Sequence, residues 1–252
     1  MFPVILPGIV IFIYGILIGS FLNVCIYRIP KKENIVTTRS HCMNCDYQLR
    51  WYDLIPLFSW ISLGGKCRKC GTKISVQYPL IEALNGILYV AVFLCYGFSI
   101  ETLLYCLLTS ALIVLSVIDF RIYEIPVGIN WFIAGIGLIR VFTDMSDWTE
   151  YVIGFFSVSA FLYLLYILTK GRGIGGGDIK LMAVSGLVLG WKCNVLGFIC
   201  GCIVGVIIHI FLMIITKKDH VMAMGPYLSI GIYISVLFGN KFIAWYLTLL
   251  GI

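Results

Sequence analysis

The sequence predicts an all-α polytopic membrane protein with about eight transmembrane helices and one polar loop between the first two. Three observations support this fold class. Hydrophobic residues make up 61% of the 252 residues and charged residues only 12%, with a mean hydropathy of +1.02, whereas a soluble domain is about 45–50% apolar and about 25% charged. Long apolar runs recur along the chain. Its basic residues are concentrated in one stretch near the N-terminus.

Eight apolar stretches are predicted to form the transmembrane helices, because runs of about 20 apolar residues cross a bilayer. They lie near residues 4–27, 79–98, 101–119, 125–142, 150–169, 179–190, 194–215 and 226–250. The sixth is short, and the eighth contains Asn240 and Lys241. The first has no basic residue before its apolar run, so a cleavable signal peptide is not expected. The predicted organisation is a first helix (1–27), a loop (28–78) and a membrane-embedded region (79–252).

The distribution of positive charge predicts which side of the membrane the loop occupies. Residues 28–78 contain nine Lys and Arg but only three Asp and Glu, which accounts for the whole formal charge of +6. Alternate connections are also basic, whereas the connections between them are poor in basic residues. Because cytoplasmic loops carry an excess of Lys and Arg, the loop is predicted to face the cytoplasm, as are Asp119 and Asp178.

Two C-x-x-C pairs lie in this loop, in the segments HCMNC and KCRKCG. Their cysteines are Cys42, Cys45, Cys67 and Cys70. The pairs are separated by 21 residues, which is close to a zinc-ribbon spacing, and two such turns supply the four thiolates of a tetrahedral zinc site. Paired disulfides are the weaker alternative in the reducing cytoplasm, and His41 could in principle replace one thiolate. The sequence therefore predicts a structural zinc that orders the loop.

Ionisable residues in apolar stretches are costly and usually functional. The candidates are Glu82, Asp119, Glu124, Asp178 and His209. Asp119 closes the third stretch and Asp178 opens the sixth, so both are predicted at the cytoplasmic ends of their helices. Two facing carboxylates share one proton because their charges repel, as in the acid–base pair of an aspartic protease. Glu82 is expected to favour the start of the second helix through its dipole, and His209 to be a packed histidine.

A run of glycines precedes Asp178, and more than one role for that aspartate stays open. Without Cβ atoms, the glycines would let an extended substrate backbone lie against the carboxylate. They are Gly173, Gly175, Gly176 and Gly177. Alternatively, Asp178 caps the sixth helix, and Asp119 pairs with Arg121 or Lys180. The run also matches G-x-G-x-x-G, but it follows an apolar stretch instead of a strand, so a dinucleotide site is not predicted.

Five segments, in the order found in one family, resemble the type IV prepilin peptidases, the bifunctional leader peptidases and N-methyltransferases of pilus and type II secretion systems. The segments are GSFLNVCIYRIP (19–30), CMNCDYQLRWYDLIPLFSWISLGGKCRKCGTKISVQYPLIEALNG (42–86), IDFRIYEIP (118–126), GIGGGDIKLMA (173–183) and GPYLSIG (225–231). Two departures are small. CMNC lacks the proline that many members have after the first cysteine, and IPVGIN lacks an Asp or Asn after its proline.

The resemblance implies a membrane-embedded aspartic protease region, residues 79–252, with Asp119 and Asp178 as the catalytic pair. The family's G-x-G-D motif falls on the glycines before Asp178. Its expected supporting residues are Gly175, Gly176, Gly177 and Lys180. The resemblance also implies that loop 28–78 binds the metal through its four cysteines and is associated with methyl transfer.

The resemblance further implies the substrates and the cofactor. Family members remove a short basic leader from prepilin or pseudopilin precursors after a glycine, and then methylate the new N-terminal residue with S-adenosylmethionine. We therefore expect a multi-pass protein of the bacterial inner membrane, in contact with lipid and without a nucleic-acid partner, whose active site faces the cytoplasm. No S-adenosylmethionine site follows from the sequence, because no glycine-rich cradle occurs in a soluble α/β context.

Two other functions compete with this interpretation. A presenilin-like intramembrane aspartyl protease also uses G-x-G-D, but it would not require the four-cysteine loop or the segment GPYLSIG. A metal-regulated transporter would place charged residues along a path across the bilayer, whereas the acids here gather near the two membrane faces. Both features favour the prepilin peptidase.

Overall fold

The computed structural model describes residues 2–216, 222–249 and 251, which form ten α-helices. The helices are α1 (Phe2–Lys31), α2 (Phe58–Ser62), α3 (Gln77–Tyr96), α4 (Ile100–Ile122), α5 (Val127–Thr143), α6 (Trp148–Ser157), α7 (Ser159–Leu168), α8 (Gly176–Leu189), α9 (Trp191–Thr216) and α10 (Gly225–Leu249). Two short 3₁₀ helices, Trp51–Leu54 and Met145–Asp147, lie between them. The predicted all-α class is confirmed.

Six helical segments are long and apolar enough to cross a membrane, as expected of a multi-pass protein. They are Ile5–Lys31, Gln77–Tyr96, Ile100–Ile122, Met145–Leu168, Trp191–Ile215 and Gly225–Leu249. All eight predicted stretches are helical, but the fourth and sixth form the shorter α5 and α8, of 17 and 14 residues. At about 1.5 Å per residue these measure about 26 and 21 Å, less than the roughly 30 Å hydrocarbon core.

The chain divides into two compact units. The first, Met1–Thr102, contains α1, α2, α3 and the four-cysteine loop, and in it α1 packs against α3. The second, Leu103–Ile252, contains most of α4 and all of α5 to α10. In the second unit, α8 contacts α5, α6, α7, α9 and α10.

Glycines bring α1 and α3 into close contact in the first unit. A Cβ atom on Gly15 would lie 2.6 Å from the Cα of Gly86, and one on Gly19 would lie 2.7 Å from the Cα of Glu82. The amide Nδ2 of Asn85 donates a hydrogen bond to Gly15 O at 2.7 Å. Membrane helices depend on such small residues and polar bonds, because lipid gives little hydrophobic drive to their association.

α8 is the centre of the second unit and is buried over most of its length. α6 meets it at Gly154 and Gly186, where a Cβ atom on either glycine would collide with the backbone of the other. α5 meets it at Gly137, whose Cβ would lie 2.6 Å from the Cβ of Leu187. α8 can be shorter than the bilayer is thick because other helices surround it.

A buried amide fastens α8 to α6 and α9. Nδ2 of Asn194, a buried residue of α9, donates hydrogen bonds to Met182 O at 3.0 Å and to Gly154 O at 3.2 Å. Its Oδ1 accepts a hydrogen bond from Ser185 Oγ at 2.9 Å. Because unpaired polar groups are costly in such surroundings, these bonds favour one position of α8, whose first turn carries Asp178.

Replacing Gly15 by Val is expected to destabilise the protein by about 1–3 kcal/mol, because the added methyl groups would meet the backbone of α3. Thermal unfolding of purified protein in detergent micelles measures the effect. Gly8→Val is the matched control, since it adds the same side chain to the same helix where nothing lies within 4 Å. Equal decreases of the unfolding temperature in the two variants would contradict a tight contact between α1 and α3.

Candidate functional site

Asp119 and Asp178 line one cavity in the second unit. Asp119 lies in the last turn of α4, and Asp178 lies in the first turn of α8. Both are buried, with 5% and 8% of their surface exposed. The cavity has a volume of about 280 Å³. Its other lining residues are Tyr123, Glu124, Ile125, Gly176 and Gly177. The structure therefore brings together the two acids that the sequence singles out.

The end of α4 and the start of α10 hold Asp119. Tyr123 ends the helix with a left-handed backbone (φ 56°), and its N–H donates to Asp119 O at 2.8 Å. The carboxylate Oδ2 of Asp119 accepts a hydrogen bond from the backbone N–H of Gly225 at 2.9 Å. A Cβ atom on Gly225 would lie 2.7 Å from that oxygen, so only glycine fits this contact without a shift. Gly225 begins the segment GPYLSIG (225–231), but the sequence indicates no role for it.

The glycine run positions Asp178 at the third residue of α8. Gly175, with an extended backbone, occupies the N-cap position, so the alternative that Asp178 is the cap is wrong. A Cβ atom on Gly175 would lie 2.9 Å from Asp178 Oδ2, and one on Gly177 would lie 2.9 Å from Ile125 Cβ. Both glycines permit a close approach at the cavity. Lys180 is exposed and does not contribute to the cavity lining.

The surroundings of Asp178 disfavour its charged form. α8 is not among the six segments long enough to cross the membrane, and Asp178 lies at its N-terminal end. Burial and, after it, the negative charge of Asp119 raise the pKa of Asp178 to about 6. Two neighbouring carboxyl groups in this situation can hold one proton between them at pH values up to about 6. The site therefore has the electrostatics of an acid–base pair.

Glu82 and His209 do not line this cavity. Glu82 belongs to the first unit, where its Oε2 accepts a hydrogen bond from the Leu57 N–H at 2.7 Å. The expectation that Glu82 serves the N-terminal dipole of its helix is wrong, because it is the sixth residue of α3 and lies beyond the first turn. His209 lies in α9 and is partly exposed.

The four-cysteine loop contains two copies of one turn. In each copy the N–H of the first cysteine donates to the carbonyl oxygen five residues later, at 2.9 Å for Cys42 and 2.8 Å for Cys67. The residue after the second cysteine has a left-handed backbone in both copies, with φ of 52° at Asp46 and 70° at Gly71. The repeated C-x-x-C pattern thus produces a repeated backbone shape.

The four sulfur atoms of this loop converge. All lie within 4.8 Å of one another, and Cys42 Sγ lies 3.8 Å from Cys70 Sγ. A tetrahedron with metal–sulfur distances of about 2.3 Å separates its sulfurs by about 3.8 Å. The cysteines in the described part of the chain are free thiols. Hydrogen bonding to Thr72 lowers the pKa of the Cys70 thiol to about 5, which favours the thiolate that binds metals. The donor set therefore fits a tetrahedral metal site.

Two protein families match successive parts of the chain. Residues 13–96 match the Bacterial Peptidase A24 N-terminal domain, and residues 106–210 match the Type IV leader peptidase family. The first match covers the four-cysteine loop, and the second covers Asp119 and Asp178. No solved structure matches the chain.

Several similar proteins carry the name Prepilin leader peptidase/N-methyltransferase. The one from Stutzerimonas stutzeri is 31% identical over 93% of this chain and 92% of its own length. The one from Bacillus subtilis (strain 168) is 31% identical over 94% of this chain and 97% of its own length. The one from Myxococcus xanthus (strain DK1622) is 33% identical over 82% of this chain, and 64% of its own length is covered. From its motifs, its paired acids and these relatives, the chain belongs to the type IV leader peptidase family.

Proposed function

We propose that the chain is an aspartic endopeptidase that removes the leader from type IV prepilins and then methylates the new N-terminus. The proposed peptidase activity rests on one observation: the buried carboxyl groups of Asp119 and Asp178 line the same cavity. The name of the similar proteins, prepilin leader peptidase/N-methyltransferase, supports both halves.

In the proposed reaction, Asp119 enters as the base and Asp178 as the acid. The N–H of Gly225 stabilises a carboxylate at Asp119, and the pKa of Asp178, raised to about 6, favours a proton on that group as the pH falls towards 6. Asp119 takes a proton from water, whose oxygen attacks the carbonyl carbon, while Asp178 gives its proton to the carbonyl oxygen. The C–N bond then breaks, the amine leaves with the proton held by Asp119, and Asp178 regains its proton from the intermediate's hydroxyl.

The proposed substrates are prepilin or pseudopilin precursors with a short basic leader and an apolar stem. The excess of Lys and Arg in residues 28–78 supports a cytoplasmic position for this loop, with the cavity on the same side of the bacterial inner membrane. Cleavage after a glycine would suit the site, because Gly176 and Gly177 line the cavity without side chains. An extended peptide would have room to approach Asp178.

Two further groups belong to the proposal. Zinc, held by the four cysteine thiolates, would order the loop of the first unit, which is too small to form a core of its own. S-adenosylmethionine, which the methyltransferase name implies, would supply the methyl group for the new N-terminal amine.

Asp119→Asn and Asp178→Asn are each expected to lower leader cleavage by about a hundredfold or more, because each removes one proton-transfer group. Gel assays of a prepilin incubated with purified enzyme in detergent measure the loss. Asp147→Asn, which changes an exposed acid in the same unit, is the matched control. Substantial cleavage by either cavity variant would exclude that aspartate from catalysis.

Asp178→Asn is also expected to change the pH dependence of stability. The pKa of Asp178 is raised from 3.8 to about 6 in the folded protein, so its contribution is full below about pH 4 and is lost as the pH rises through about 6. Between about pH 5 and about pH 8, the unfolding temperature should therefore fall more in the wild type than in the variant.

Glu124→Gln is the control for this measurement, since Glu124 lines the same cavity but is exposed. Its unfolding temperature should follow that of the wild type. If Asp178→Asn is the less stable protein at about pH 8, Asp178 has a structural role instead.

Purified protein is expected to contain one zinc per chain, and Cys67→Ser is expected to lose most of it, because Cys67 is a buried member of the four-sulfur cluster. Elemental analysis by mass spectrometry measures the metal. Cys200→Ser, in α9 and outside the cluster, should keep the wild-type content. Zinc-free wild-type protein, prepared without chelator, would contradict the metal assignment.

A further inference from the structure

The loop between α1 and α3 contains an uncharged stretch among its basic residues. Residues 54–65, LIPLFSWISLGG, have no charged side chain, although residues 28–78 as a whole contain nine Lys and Arg. The stretch begins at the end of the 3₁₀ helix Trp51–Leu54 and includes α2. Exposed apolar patches usually mark interaction sites, so the exposure of this stretch indicates whether it has a partner.

The large apolar side chains of this part of the loop are exposed. Trp51 is 78% exposed, Phe58 66% and Ile61 68%. In α2, Phe58 and Ile61 are three residues apart and therefore lie on one side of the helix. Ser59 and Trp60, between them, line a cavity of about 580 Å³ in the first unit, whereas Phe58 and Ile61 do not. The side of α2 that faces away from this cavity is therefore apolar and largely uncovered by the described residues.

The polar groups near this apolar side bond within the loop. Asp53 is buried, and its Oδ1 accepts a hydrogen bond from Arg68 Nε at 2.8 Å. The indole Nε1 of Trp60 donates to Ile74 O at 3.3 Å. These bonds fix the position of residues 51–61 on the loop, so the exposed apolar side chains form a defined outer surface.

The contact with α3 determines the depth of this surface in the membrane. The 20 residues of α3 measure about 30 Å, the thickness of the hydrocarbon core, so a spanning α3 lies in the core over its whole length. Glu82 is its sixth residue and lies about 8 Å along the axis from Gln77. The Leu57 N–H donates to Glu82 Oε2 at 2.7 Å. Leu57 and the adjacent Phe58 are therefore held at the edge of the hydrocarbon core.

The register between α1 and α3 agrees with this depth. Asn23 Nδ2 donates to Tyr78 O at 3.1 Å, and Gly19, one turn earlier on α1, lies against Glu82. From Glu82 to Tyr96, the far end of α3, is about 21 Å. This is less than the core of about 30 Å, so the core extends past Glu82 towards the loop.

The surroundings of residues 51–61 match a lipid partner. Leu80 and Leu84, on α3 at the level of Glu82, are exposed apolar residues of a spanning helix and so face lipid. Phe58 and Ile61 would extend this apolar surface. Exposed basic residues flank it on the loop, and such residues attract anionic headgroups. They are Arg50, Lys66 and Lys69. Apolar and aromatic side chains with flanking Lys and Arg are typical of elements that lie in the membrane surface.

We propose that residues 51–61 lie in the surface of a phospholipid bilayer, with Trp51, Phe58 and Ile61 inserted among the lipids and the flanking basic residues beside anionic headgroups. Tryptophan is enriched at this depth because its ring is amphipathic. The four-cysteine loop would then rest on the membrane instead of extending into water. This inference goes beyond the proposed peptidase and methyltransferase activities and depends on neither.

Photo-crosslinking of the full-length protein in nanodiscs of phosphatidylcholine and phosphatidylglycerol tests the proposal. The photoreactive residue p-benzoylphenylalanine replaces Phe58 or Ile61 in turn, and mass spectrometry of the intact protein after irradiation measures the lipid adducts. Leu80 is the positive control and Val36 the negative control. The yield at Phe58 and Ile61 is expected to be at least about fivefold higher than at Val36, and within about twofold of that at Leu80.

Val36 is a matched control because it is an exposed apolar residue of the same loop, farther from the membrane. Its neighbours Asn34 and Thr38 accept hydrogen bonds from Arg28 through their carbonyl oxygens. Arg28 lies in the last turn of α1. The apolar segment Ile5–Lys31 measures about 40 Å, so its end projects beyond the hydrocarbon core.

Nanodiscs of phosphatidylcholine alone test the role of charge. The adduct yield at Phe58 should fall by about twofold or more, because the basic residues lose their anionic partners, whereas the yield at Leu80 should not change. An equal yield at Phe58 in the two kinds of nanodisc would refute the contact with anionic headgroups.

The other possible occupants of this surface give different products. Adduct yields at Phe58 and Ile61 no higher than at Val36 would refute the proposal. Crosslinked dimers in place of lipid adducts would refute it in favour of a second copy of the chain. Peptide adducts that replace the lipid adducts when a prepilin is added would refute it in favour of the substrate. If one variant does not fold, as its unfolding temperature would report, the other position decides.

Discussion

Close backbone contact between helices at glycines is the constraint on which both units depend. In lipid, helices associate through packing and polar bonds, because their apolar faces gain little by leaving the solvent. The first unit has such a contact at Gly15 and Gly86, and the second at Gly154 and Gly186. Larger side chains there would separate the helices. α8 would then no longer hold Asp178 in its present place.

The burial of two acids at helix ends links this packing to chemistry. Asp119 faces the N-terminus of α10 at Gly225, and Asp178 lies in the first turn of α8. Helix N-termini carry partial positive charge, which offsets part of the cost of removing two carboxyl groups from water. The remaining cost appears as the raised pKa of Asp178. The burial of Asp178 reduces the stability of the folded protein near neutral pH, but it also makes this carboxyl group a better proton donor.

Local patterns in the sequence predict much of the fold and part of the site. Apolar runs indicate the helices, and paired C-x-x-C turns indicate the sulfur cluster, because each signal lies within one short segment. Asp119 and Asp178 stand out for the same reason, as acids at the ends of apolar stretches. Their presence in one cavity depends on the arrangement of α4 and α8, which no local pattern encodes.

Contacts between distant parts of the chain explain what the sequence does not predict. The hydrogen bond from Gly225 to Asp119 joins residues 106 apart, and the bond from Leu57 to Glu82 joins a loop to a helix. An apolar run does not reveal whether lipid or protein will surround it, so the sequence shows that the stretch forming α8 is short but not that five other helices contact it. The unpaired oxygen of Asn23 likewise appears only when α1 and α3 are placed side by side.

The hydrogen bond from Leu57 to Glu82 shows that the cysteine-bearing segment depends on contacts with a flanking helix. Leu57 has a positive φ of 61°, which is unfavourable for a residue with a side chain, and a carboxylate on α3 accepts a hydrogen bond from its N–H. Arg28, on α1, likewise donates hydrogen bonds to backbone carbonyl groups at the beginning of the segment. Some of the hydrogen bonds that fix the conformation of this segment therefore come from α1 and α3. A peptide cut out between the two flanking helices would retain its sulfurs but not its native bends, and would be a poor substitute for the intact assembly.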